Sequence, residues 1–256
     1  MIARFGFRAL SNTPRIGIDG ITWWTTLPSA IAWLCLAVVT SHDHHSPRPT
    51  GNDTPQFATG LSEAVGSDFL YAGAIHWLLM VTAMMLPLLV VPIRQVAFRS
   101  YSWRRGEAIA GFLAGYAAIW IFAGMVCLGG VAILNVAEWV PASASASIAL
   151  LAAAAWQLSP FRATAMRECH RSVALAPRGL AADRDCIRYG VSHGFACAKV
   201  CLPLMLATMI SMPGVAAAIA VALLLYFERA YQRVYRIIPA VVLACCSVAM
   251  GYSSLS

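Results

Sequence analysis

Charge is what this 256-residue chain has least of: Asp, Glu, Lys and Arg make up 11% of it, against 60% hydrophobic residues. A soluble domain carries roughly a quarter charged residues, so a water-bathed globule is excluded for most of the length. Signatures of common enzyme classes are missing too. There is no Walker sequence, no glycine-rich phosphate loop, no HExxH helix and no arguable catalytic triad, so the chain reads as a non-enzyme. No A-x-A site follows the first apolar stretch, which is too long for a signal-peptide core, and an uncleaved anchor is expected there. No internal repeat is visible, which weakens an inverted-repeat transporter. The eight cysteines do not suggest a disulfide framework, because most lie in apolar segments or in an inner loop where thiols stay reduced.

Present instead are seven stretches apolar enough to span a hydrocarbon core: 21–41, 70–92, 107–129, 142–158, 190–211, 213–228 and 237–253. The expected fold is all-α, a polytopic transmembrane helical bundle. Residues 1–20 form a cytoplasmic segment and 21–256 a single integral domain. The net charge of +7 reports orientation rather than a nucleic-acid partner. With the N-terminus inside, all eighteen basic residues except Arg48 and Lys199 fall on the cytoplasmic side. An odd number of spans puts the C-terminus outside. The expected surroundings are membrane lipid, in a bacterial inner membrane.

The chemistry concentrates in two stripes. His193, Cys197, Cys201, Met205 and Met209 follow one another at spacings of four, and His76, Met80 and Met84 repeat the pattern earlier, with Met85 beside them. Spacing of four puts neighbours one turn apart on one side of a helix. Thiolate and thioether sulfurs are soft ligands that select Cu(I), and imidazoles are costly in a bilayer core unless something holds them. Each step of four drifts about 40° around an ideal helix. Cys197, Cys201 and Met205 can therefore face one metal, whereas His193 and Met209 cannot share it. With ideal rise, Met80, Met84 and Cys201 fall near the midplane. The two histidines fall in opposite halves of the bilayer, which argues against bis-histidine haem.

Pro203 leaves the Lys199 carbonyl without its helical donor, and Pro87 does the same to Ala83. Such breaks are tolerated where neighbours re-satisfy them. Lys199 points away from the sulfur face, and the sequence leaves open whether it snorkels inward or balances a buried anion. Secondary ligand candidates are His42, His44 and His45 in the outer loop 42–69, and Cys169 and His170 in the inner loop 159–189. Glu228-Arg229 reads as an interfacial charge pair, and Cys35, Cys127, Cys245 and Cys246 as packing residues. Gly111, Gly115 and Gly124 mark a close helix contact.

At these residues the chain resembles a family of bacterial predicted metal-binding integral membrane proteins, over roughly residues 70–230. The matching stretches are His76 to Met80, Ala83 to Pro87, Gly115-Tyr116 with Trp120, Trp156 to Pro160, Cys169, Gly194 to Cys197, Cys201, Leu204-Met205 and Glu228-Arg229. Some members are encoded beside copper oxidases such as tyrosinase and look like copper chaperones for them. The chain departs from the family at Ala165, where a cysteine is frequent, and at Lys199-Val200-Cys201-Leu202, where a Gly-Cys-Cys-Trp run is frequent. What the resemblance then implies is one low-coordinate Cu(I) on two Cys and one or two Met. The expected function is copper delivery to, or maturation of, a copper-dependent enzyme. The alternatives are a metal or small-solute transporter and a non-catalytic structural membrane subunit.

Overall fold

The computed structural model describes residues 18–45, 67–136, 142–171, 173–176, 178–211, 215–231 and 237–253. Among these residues the fold is all-α: α1 Ile18–His45, α2 Ser67–Met85, α3 Val90–Arg99, α4 Arg105–Val136, α5 Ala142–Leu158, α6 Pro160–Cys169, α7 Gly179–Ser211, α8 Val215–Tyr231 and α9 Ile237–Ser253. A 3-10 turn, Leu86–Leu89, joins α2 to α3, and another, Ser102–Arg104, leads into α4. Three segments are long and apolar enough to cross a membrane: Gly73–Arg99, Ser102–Gly130 and Gly179–Ile210. Shorter apolar helices cover Trp23–Val39, Ser145–Leu158 and Ile237–Val248.

Two expected loops are partly helix. The backbone of α1 runs through His42, His44 and His45, whose side chains lie outside the described residues. The inner loop 159–189 contains α6 and the first three turns of α7. Ser159 stops α5 and caps α6, its hydroxyl accepting from the Phe161 N–H, with Pro160 pre-set for the first turn. Gly179 opens α7 with φ of 77°, a conformation that favours glycine.

The largest helix contact is α4 against α7. Gly111 meets Ile187, Gly115 meets Ile187 and Val191, and Gly194 meets Ile119, so contacts advance together along both helices and the two run parallel. The approach is backbone to backbone. A Cβ on Gly190 would collide with the Phe112 carbonyl, and one on Gly115 with the Ile187 carbonyl. α2 joins the pair through Trp77, whose indole lies against Gly124 and donates to the Trp120 carbonyl at 3.0 Å.

Both carbonyls released by proline find donors from neighbouring helices. The Ser29 hydroxyl donates to the Ala83 carbonyl at 2.7 Å, and the Trp156 indole donates to the Lys199 carbonyl at 2.8 Å. Lys199 itself pairs with Glu168 of α6 at 3.3 Å, with both side chains about half exposed. The sequence leaves open whether Lys199 snorkels or balances a buried anion; the carboxylate it meets is on a neighbouring helix but half exposed rather than buried.

Glu228 and Arg229 do not form a pair at a helix end. Glu228 is fully buried against Arg162, which holds both carboxylate oxygens with both terminal nitrogens. Arg229 turns to another face. The reason is the helix itself: adjacent residues lie about 100° apart around the axis. Cys35, Cys245 and Cys246 also depart from the packing reading and lie exposed on the bundle's outside, whereas Cys127 is half-buried.

Two measurements check this frame. Gly190→Val should cost at least ~3 kcal/mol, because backbone on the other helix cannot move aside as a side chain does, and thermal unfolding of purified protein reads it. Glu228→Gln should cost roughly 3–5 kcal/mol by stranding the Arg162 charge, while Arg162→Met with Glu228→Leu should recover most of it.

Candidate metal centre

The glycine contact fixes what stands opposite what. Residues 193, 197 and 201 of α7 recur on one side of the helix, beside Tyr116 of α4. Cys197 is the hub. Its Sγ lies 4.0 Å from the Cys201 Sγ and 3.8 Å from the Met85 Sδ. The Tyr116 hydroxyl donates to it at 3.4 Å, and Arg229 Nη1 donates to it at 3.7 Å. Beside Cys197, Cys201 and Arg229 is a small cavity of about 10 Å³, lined also by Leu88, Met166, Cys169, Val200 and Leu225. That is roughly the room one water-sized guest needs.

The other sulfurs flank this hub. Met80, Met84, Met85, Cys169, Cys197, Cys201, Met205 and Met209 belong to one continuous buried core. Met85, the secondary candidate of its stripe, touches Cys197 with its sulfur. Cys169, the inner-loop candidate, reaches the cavity because α6 packs along α7. It lies outside the long apolar segments, and burial pushes its thiol up to about 12 against the opposing pull of Arg229.

The histidines are held by other partners. His193 is boxed by the rings of Phe112, Tyr116 and Tyr189. Its Nε2 lies 2.8 Å from Arg229 Nη2. Arginine has no acceptor, so His193 accepts there. Both ring nitrogens of His170 face carbonyls, Nδ1 that of Met166 at 2.8 Å and Nε2 that of Arg229 at 3.1 Å, so the ring braces α6 against α8. His76 is half-buried and stands nine residues, about 13 Å of helix, from Met85. Among the described residues no three His, Cys, Asp or Glu side chains converge as a cage.

The donors therefore fit a soft, low-coordinate ion. Metal–thiolate bonds of about 2.3 Å, the length found for zinc, let two sulfurs sit up to about 4.6 Å apart. The Cys197–Cys201 separation of 4.0 Å falls within that reach. Sequence reasoning missed Tyr116 and Arg229 as neighbours of the site. Both were visible as parts of the matching stretches, but their direction depends on the α4–α7 contact and on how α8 returns.

The fold and site together are a helical bundle with segments apolar enough to cross a membrane and a buried thiol–thioether cluster. The chain belongs to the PpoB2 copper chaperone family, whose model matches residues 74–252. That membership agrees with a non-catalytic, chaperone-type role. No curated protein and no solved structure is detectably similar to the chain.

A thiol held at about 12 stays protonated at pH 8, and the protonated thiol is a poor nucleophile. Cys169 should therefore resist alkylation in the folded protein at that pH and react readily in denaturant. Mass spectrometry of the Cys169 peptide reads both states.

Proposed function

We propose that this protein holds one Cu(I) as cargo between Cys197 and Cys201 and passes it to a copper-dependent enzyme. The observation that carries the reading is the Cys197–Cys201 pair at one small cavity, with the Met85 thioether against Cys197. The two thiols bind as thiolates. Met85 supplies a weaker thioether that exchanges readily, and Cys169 stands at the wall as a thiol to which the ion can move. Met80, Met84, Met205 and Met209 continue the sulfur line through the core. His76 and His193 bound the line, His193 acting through Arg229. His170 braces the wall, and His42, His44 and His45 form an outer acquisition patch. Cu(I) needs no carboxylate and tolerates few ligands, which suits this donor set.

The same reading keeps seven spans, with residues 1–20 inside, the single domain 21–256 in a bacterial plasma membrane, and the C-terminus outside. The recipient is a copper oxidase of the tyrosinase type. The support for delivery over storage is the exchangeable thioether and the family's chaperone character.

Anaerobic Cu(I) titration of the purified protein against a competing chelator tests it. About one ion should bind tightly, and Cys197→Ser with Cys201→Ser should weaken it by roughly 1,000-fold or more, about 4 kcal/mol. Unchanged binding in the double variant would overturn the site. Gradient-dependent uptake into sealed vesicles would move the protein to the transporter class.

A further inference from the structure

Among the described residues, two cations near the cavity have carboxylate partners. Arg162 is neutralised by Glu228, and Lys199 by Glu168. Arg229 remains. Its terminal nitrogens face a histidine that accepts and a cysteine sulfur, and its adjacent carboxylate, Glu228, is held by Arg162. Arg229 is partly buried, and a cation drawn out of water favours an anion beside it; the thiolates of a loaded site are that anion.

We infer that Arg229 is the specificity-determining residue of this site and selects a singly charged guest ion. The inference rests on the Cu(I)-holding reading and adds to it a rule about charge. Two thiolates carry −2, a monovalent ion +1 and Arg229 +1, so the loaded centre is neutral. A divalent ion on the same thiolates leaves a net +1 with no carboxylate among the described contacts to offset it. Softness alone does not make this distinction, because Cd(II) is soft as well. The neutral His193, Tyr116 and Met85 leave the sum unchanged, and so does the Cys169 thiol of the cavity wall as long as it keeps its proton and the ion rests on Cys197 and Cys201 alone. Arg229 is also anchored. His193 accepts from its guanidinium and His170 bonds its carbonyl, so the charge is fixed beside Cys197 rather than free to swing away.

Removing the arginine relieves twice as much repulsion for a divalent guest as for a monovalent one, while the lost support of the thiolates affects both equally. At about 6 Å and an effective dielectric constant near 20, that difference is roughly 100-fold in relative affinity. The test uses the full chain in nanodiscs under anaerobic conditions. Ag(I) and Cd(II) are each titrated against chelators, with Cu(I) as reference. Arg229→Gln should raise the Cd(II):Ag(I) affinity ratio roughly 100-fold over the unsubstituted protein. Arg229→Lys, which keeps the charge, should hold the ratio within about tenfold. Should Arg229→Gln not fold, Met166→Glu places a carboxylate in the cavity wall and should shift the ratio the same way. An unchanged ratio in a folded Arg229→Gln or Met166→Glu protein overturns the role of Arg229 and leaves the Cu(I) site standing. Failure of the unsubstituted protein to bind Ag(I) or Cu(I) through Cys197 and Cys201 overturns both.

Discussion

Everything in this molecule is referred to the line where α4 and α7 touch through bare backbone. Apolar side chains gain little by leaving lipid for one another, so a membrane bundle holds together by close packing. Gly115 and Gly190 make that packing possible at the point where a Cβ would meet a carbonyl. Once the two axes are this close, little rotation is left to either helix. Tyr116 is then committed to Cys197, and Phe112 and Tyr116 to the His193 ring. The site is positioned by a contact that contains none of its ligands.

Polar satisfaction also works from helix to helix. Each proline that breaks a helix near the sulfurs frees one carbonyl, and each carbonyl is claimed by a different neighbouring helix. Ser29 ties α1 to α2, and Trp156 ties α5 to α7. The breaks thus become joints between helices. The charged residues behave alike: Arg162 with Glu228 links α6 to α8, and Lys199 with Glu168 links α7 to α6. α6 is short, yet it is fastened on both sides, and this is why Cys169 stands at the cavity rather than in a loop.

Much of this was legible from local rules. Apolar stretches predicted helices, and the bounds of 142–158 and 237–253 agree with α5 and α9. The period of four placed Cys197 and Cys201 on one side, and the prolines announced orphan carbonyls. What stayed hidden depends on contacts distant in sequence. Nothing local says that Glu228 and Arg229, adjacent in the chain, serve different partners. Nothing local says that the Met85 sulfur reaches Cys197, since that depends on helix rotation against α7. The helical content of 159–189 was obscured by its charges, which resemble those of a loop until their partners are known: Glu228 on α8, Lys199 on α7 and Arg104 in the turn before α4.

The 3-10 turn Leu86–Leu89 has a consequence for phase. Met85 and Gln95 are ten residues apart, and at 100° per residue they would sit 80° out of register on one straight helix. A 3-10 turn advances 120° per residue, so its four residues add about 80°. The sum is close to three whole revolutions. Met85 and Gln95 are thereby brought to the same side of one rod, and both reach α7: the thioether meets Cys197, and the Gln95 amide oxygen accepts from the Tyr189 hydroxyl at 3.1 Å. The tightened turn works as a vernier, letting a single rod fit α7 at two heights.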